Sequence, residues 1–161
     1  MTQWLSAEQQ QHWRAYIAAT TLLHERLSRE LQAEHGLTMA DYEILVRLSE
    51  APGRRLRMSQ LAEVTLASRS RLSHQVDRLE RVGLVEREAC ESDRRGANAV
   101  MTARGWKALV AAAPTHVAGV RAHLVDQLSD EEFAALGEAL AVVAAHLQGT
   151  GPDCEADAET A

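Results

Sequence analysis

The sequence predicts a mostly α-helical α+β chain with one small β-hairpin. Three observations carry that prediction. Apolar residues recur at helical spacing in both flanks, the period shortens to two only around residues 84–101, and capping and breaking residues divide the helical stretches into units. With 161 residues and 46% hydrophobic content, the chain can bury one real core, and its length argues for a single domain.

The first helix starts behind Ser6 as N-cap and carries Trp13, Ile17, Leu22, Leu23, Leu27 and Leu31 to about residue 34, where Gly36 stops it. Thr38 opens a second helix through Tyr42, Leu45 and Leu48, which Ala51-Pro52-Gly53 breaks. An extended piece at 56–58 precedes a short helix capped by Ser59 and carrying Leu61, Ala62 and Val64. After a turn at 65–67 comes a helix over about 68–82, with Leu72, Val76 and Leu79 facing inward and Gly83 just past its end.

Residues 84–88 read as a strand, 91–96 as a polar turn and 99–101 as the returning strand of a two-stranded wing. Thr102 caps a helix through Trp106, Leu109 and Val110 that meets Pro114, where a kink or a brief break is expected before it resumes to Leu128. Ser129-Asp130-Glu131-Glu132 resembles a capping box, and Phe133, Leu136, Leu140, Val143 and Leu147 follow it as an apolar seam. Residues 149–161, with four acids and no base, read as a disordered tail, leaving 1–148 as the single domain. No internal repeat is visible.

Net charge is −6, yet its distribution is uneven. Residues 54–107 hold 12 Lys and Arg against 7 Asp and Glu, a local excess of +5, so the remainder carries −11. A basic middle in an acidic chain can serve as an electrostatic footprint for nucleic acid. Cys90 and Cys154 make no CxxC or Cys/His spacing, and the seven histidines form no ligand pair, so neither a metal nor a cofactor is expected. A phosphate-binding Gly-rich loop, a GxSxG nucleophile and paired carboxylates are all missing from the sequence, which speaks against an enzyme. The chain also has no run of about eighteen apolar residues and no signal-like start, so no membrane association and a cytoplasmic location are expected.

Helix, short helix, turn, helix and β-hairpin, in that order within the basic region, form a helix-turn-helix with a wing. On the helix at 68–82, Ser70, His74, Asp77 and Arg81 face outward with Arg71 and Ser73 at the flanks. A helix entering the major groove needs short hydroxyls for close approach and longer donors for base edges and phosphates. Ser68, Arg69, Ser70, Arg71, Ser73 and His74 supply both, although the first four alone also suit an ordinary solvated helix start. At the wing tip, Arg94 and Arg95 suit a narrow minor groove, while Asp93 is better placed to orient an arginine than to meet phosphates.

Met58-Ser59-Gln60-Leu61-Ala62, Asp77-Arg78-Leu79-Glu80, Gly83-Leu84-Val85, Asp93-Arg94-Arg95 and Met101-Thr102 with Gly105 together resemble the MarR (multiple antibiotic resistance regulator) family over about residues 37–128. Met101 stands where leucine is usual. The resemblance implies a winged helix-turn-helix core at about 37–102 and dimerisation helices at about 6–34 and 103–148. It also implies a homodimer on a pseudo-palindromic operator and repression relieved by a ligand or by thiol oxidation. By the same resemblance, residues 68–82 are the recognition helix, and Asp93 with Arg95 matches the family's Asp-x-Arg wing motif.

Dimerisation has a separate basis, because the apolar faces of the first helix and of the seam at Phe133, Leu136, Leu140, Val143 and Leu147 lack partners in a small lobe. Family ligands sit between dimer helices and winged lobe, where Trp13, Tyr16, Tyr42, Arg87 and His116 are the candidates. The competing expectations are a core role for Trp13 and Tyr16 and a surface role for His116. The alternative to a small-molecule effector is a redox sensor at Cys90, which the neighbouring Glu88 and Glu91 disfavour by discouraging the thiolate. An interaction module with a vestigial winged lobe is a third possibility, separable by its lack of sequence preference on DNA.

Overall fold

Short-range capping chemistry sets most helix boundaries. The computed structural model describes residues 2–90 and 93–149, without the side chains of residues 90 and 93–95. Helix α1 (Ala7–His35) opens on a reciprocal box in which Ser6 Oγ accepts the Gln9 N–H at 3.1 Å and Gln9 Oε1 accepts the Ser6 N–H at 2.9 Å. It closes on Gly36 at φ +67°, a left-handed cap for which glycine is the least strained residue. Thr38 and Asp41 form the equivalent box at the start of α2 (Met39–Glu50).

A 3₁₀ turn at Pro52–Arg54 leads into strand β1 (Arg55–Arg57) and then α3 (Met58–Val64). Helix α3 starts earlier than the sequence suggests, because Gln60 Oε1 accepts the Arg57 N–H at 3.3 Å. Ser59 therefore lies inside the first turn and is not the cap. Helix α4 (Arg69–Arg81) is capped by Ser68, whose Oγ accepts the Arg71 N–H at 3.3 Å.

Strands β2 (Val85–Cys90) and β3 (Asp93–Met101) pair antiparallel, and β1 pairs with the other edge of β3 through Arg55↔Val100, Leu56↔Ala99 and Arg57↔Asn98. The sheet is thus three-stranded in the order β1-β3-β2, where the sequence predicts only a two-stranded wing. Strand β3 already begins at Asp93, so residues 93–96 of the turn expected at 91–96 are extended, while 91 and 92 lie outside the described residues.

Helix α5 (Ala103–His123) runs through Pro114 without the brief break that is one of the two alternatives there. Proline removes one backbone donor, but Pro114 and Val110 are exposed, so water can satisfy the carbonyl one turn back. The helix ends at His123 rather than Leu128, and a 3₁₀ turn follows at Val125–Gln127. Helix α6 (Asp130–Leu147) begins with the predicted Ser129/Glu132 box.

The described residues divide into two compact units, one up to Gly119 and one from Val120 on. In the first, Leu31, Ile44, Leu45, Leu48, Leu61, Leu72, Val76, Leu79 and Val85 make a core that is fully shielded from solvent. Thr102 joins three parts of it: its hydroxyl donates to the Gly83 carbonyl at 2.7 Å and accepts the Gly105 N–H at 3.0 Å. Gly105 presses so closely on the Leu84 carbonyl that any Cβ there would collide with it. In the second unit, α6 buries no residue, and Phe133, Leu140, Val143 and Leu147 are exposed with Leu136 partly covered.

Ala103–Gln127 is the one stretch among the described residues long and apolar enough, by length and composition alone, to cross a membrane. The tail beyond Gly149 and both cysteine thiols lie outside the described residues.

Candidate nucleic-acid interface

Helix α4 presents its first turn to solvent. Ser68, Arg69, Ser70, Arg71 and His74 are exposed, while Leu72, Val76 and Leu79 hold the opposite face in the core. With Ser68 capping that end, the N-terminal dipole adds to the attraction that Arg69 and Arg71 exert on an anion.

The cations of α4 fall into two groups. Arg69, Arg71 and Arg81 make no ion pair among the described residues and are exposed. Arg78 instead turns inward, donating to Thr38 Oγ1 at 2.7 Å and pairing with Asp41, whose side chain is only 3% exposed. A carboxylate so buried needs a partner, and Arg78 thereby locks α4 to the start of α2. Sequence reading did not single out Asp41 for this role; 37 positions separate the pair, and no local signal links them.

Arg87 on β2 is equally committed. Its Nη1 lies 2.6 Å from Asp77 Oδ1 and 2.8 Å from Glu80 Oε2, and its Nη2 donates to the Ser73 carbonyl at 3.1 Å and to Ser73 Oγ at 3.3 Å. Two sequence expectations shift as a result. Ser73 is half-buried under Arg87 rather than presented to a groove, and Arg87 is occupied on α4 rather than pointing at Trp13, Tyr16 or His116. The wing residues Asp93, Arg94 and Arg95 have their backbone in β3, with side chains outside the described set.

Of the ligand candidates, the structure brings together Tyr42 and His116, with ring centroids 4.6 Å apart, and stacks Trp13 on Tyr16 at 5.8 Å as a separate pair. Trp13 and Tyr16 are exposed, so within the chain they are not core residues. His116 is half-buried rather than superficial, its Nδ1 shielded without a hydrogen-bond partner among the described residues, and desolvation lowers its pKa. Burial also raises the Tyr42 phenol.

Two clefts flank α4. One of about 450 Å³ lies among α3, α4 and the wing, edged by Arg57, Arg69 and Arg87. The other, about 530 Å³, has an apolar floor that includes Leu37, Leu79 and Leu84 and a rim of Arg78, Arg104 and Lys107. No group of three or more potential metal ligands occurs among the described residues.

The MarR family profile matches residues 35–96, the stretch from the end of α1 to the wing. Over nearly its full length the chain resembles AbsC, a MarR family transcriptional regulator from Streptomyces coelicolor. Identity is 50%, coverage 92% of this chain and 99% of AbsC, and the TM-score 0.86. The chain belongs to the MarR family of transcriptional regulators.

A second MarR relative, Sco3205 from Streptomyces coelicolor, solved in complex with DNA, is 47% identical with a TM-score of 0.88 and 92% of each chain covered. The HTH-type transcriptional regulator PecS of Dickeya dadantii (strain 3937) is 28% identical over 133 residues, 81% of this chain and 79% of PecS. The match at 35–96 spans the capped α4 and the wing strand β2 that Arg87 ties to it. The winged architecture and its family are therefore what the sequence motifs implied.

Proposed function

We propose that this MarR-family chain is a sequence-specific DNA-binding regulator, acting as a homodimeric repressor on a pseudo-palindromic operator. One observation carries the DNA contact: Ser68, Arg69, Ser70, Arg71 and His74 stand exposed at the capped start of α4, with its two arginines unpaired among the described residues. Arg94 and Arg95 follow on the adjacent wing, oriented by Asp93. The DNA-bound state of Sco3205, at 47% identity, supports the same partner.

Exposed apolar surface supports the dimer. Trp13, Ile17 and Leu22 on α1, Val110 and Val117 on α5, and Phe133, Leu140, Val143 and Leu147 on α6 face solvent in a single chain. A second copy is the economical cover for such faces, with Leu136 at the edge of the α6 seam, and a two-fold axis sets two recognition helices about one DNA turn apart. Residues 37–102 then form the reading lobe, and 6–34 with 103–148 the dimerisation helices.

A small anionic, partly apolar molecule is the effector class we favour. The cleft rimmed by Arg78, Arg104 and Lys107 touches the Asp41–Arg78 lock, so an anion there competes with Asp41 for Arg78 and loosens α4. Tyr42 with His116, and the Trp13–Tyr16 pair, remain candidates for a second apolar contact once a partner copy covers them.

In vitro selection of duplexes by the purified protein tests this function. A two-fold symmetric consensus is the predicted outcome; enrichment of no sequence at all would leave an interaction module in its place.

A further inference from the structure

We propose that Arg87 neutralises the DNA face without touching DNA, by masking two carboxylates of α4 from the wing strand. This role deepens the DNA-binding function and rests on it.

Asp77 follows Ser70 by seven residues, which at about 100° per residue returns it to within about 20° of the same helical line. The face that offers Ser70 and His74 to phosphates and bases thus also carries a carboxylate. Glu80 stands one turn further on, and both acids keep side-chain exposures above two-fifths. Left alone, they place two negative charges about 4.5 and 9 Å of helical rise beyond His74, distances comparable with the Debye length of about 8–10 Å.

Arg87 meets both with a single nitrogen, at 2.6 Å from Asp77 and 2.8 Å from Glu80. Its second nitrogen is spent on Ser73, and its backbone N–H donates to Glu80 Oε1 at 3.2 Å. With 24% side-chain exposure and both terminal nitrogens engaged, the guanidinium has little left to offer a phosphate. The cluster carries a net −1 with Arg87 and −2 without it, and a symmetric dimer would feel the difference twice.

Charge rescue tests the role. Arg87→Gln should weaken duplex binding about tenfold at low ionic strength, with the deficit shrinking as salt rises. Arg87→Gln with Asp77→Asn should recover most of that loss, and Asp77→Asn alone should bind more tightly than the native protein. Thermal unfolding of each variant establishes that it folds.

A loss that persists undiminished in the double variant would overturn the proposal, because it means that Arg87 contacts DNA or acts by packing alone. Native affinity in Arg87→Gln would overturn it too. Should that variant not fold, Asp77→Asn and Glu80→Gln in the native background decide: tighter binding supports masking, unchanged or weaker binding refutes it. A native protein indifferent to every duplex overturns the DNA-binding function itself and Arg87's role with it, an outcome distinct from native binding that Arg87→Gln leaves intact.

Discussion

Arg78 of α4 pairs with Asp41 at the start of α2, and the same guanidinium donates to Thr38 Oγ1 at 2.7 Å, so one side chain ties the candidate recognition helix to the cap of its neighbour. Asp41 in turn accepts the Thr38 N–H at 2.9 Å. Replacing Asp41 by Ala removes the ion pair and the carboxylate that accepts the Thr38 N–H, keeps the Thr38 Oγ1 cap on the residue 41 N–H, and leaves Arg78 with Thr38 Oγ1 alone. Because Arg78 is 39% exposed and can be rehydrated, the cost should fall near about 2 kcal/mol rather than the 3–5 typical of a fully buried pair. Urea unfolding reads this directly, and an unchanged midpoint would show that the lock contributes nothing.

Leu66 ends α3 in the place where a glycine usually stands. Ala67 donates to the Ala62 carbonyl at 3.0 Å and Leu66 to that of Glu63 at 3.2 Å, a Schellman pair that puts Leu66 at φ +51° and 93% exposed. The left-handed conformation strains a leucine, and so exposed a side chain gains no packing in return. Leu66→Asn should stabilise the protein by about 0.5–1 kcal/mol, seen as a higher melting temperature. A lower one would mean that Leu66 is covered in the folded assembly.

Gly105 illustrates the opposite constraint. A Cβ there collides with the Leu84 backbone and crowds Met101 at 3.0 Å, and neither can retreat without opening the junction that Thr102 holds. Gly105→Ala should cost about 3 kcal/mol despite alanine's better helix propensity. Calorimetry showing a stabilised variant would disprove this close approach.

His116 gives the fold a pH dependence of definite sign. Desolvation holds its imidazole below the ordinary value of 6.5, so the native state keeps it neutral while the unfolded chain takes up a proton. Its contribution is therefore intact above about pH 6.5 and is lost as pH falls below it, until the native imidazole also titrates. Tyr42, the ring it contacts, stays neutral throughout this range, because burial raises its phenol further. The melting temperature of His116→Asn should decline less between about pH 7 and 5.5 than that of the native protein. Parallel declines would place the titration elsewhere.

What the sequence revealed was whatever depends on neighbours along the chain. Ser6, Thr38, Ser68, Thr102 and Ser129 all cap the helices they precede, because a cap is satisfied within three residues. Long-range partnerships were not legible. Nothing local tells that Arg87 bends back to Asp77, that Arg78 crosses to Asp41, or that the short β1 joins the far edge of β3. Pro114 does not break α5, because the carbonyl one turn back is exposed to water, and that exposure is set by the fold and not by the local sequence. Arg87 looked like a ligand contact in sequence for a related reason: the groups that occupy it come from another element.

Salt dependence of duplex binding bears most directly on the function assigned to α4. For a duplex obtained by selection, the slope of log affinity against log salt should be steep in the native protein and shallower by about one unit for each phosphate contact removed, as in Arg69→Ala and Arg71→Ala. A native protein that binds no duplex even at low ionic strength, or one whose slope is untouched when both arginines are gone, would contradict a DNA-reading role for this helix.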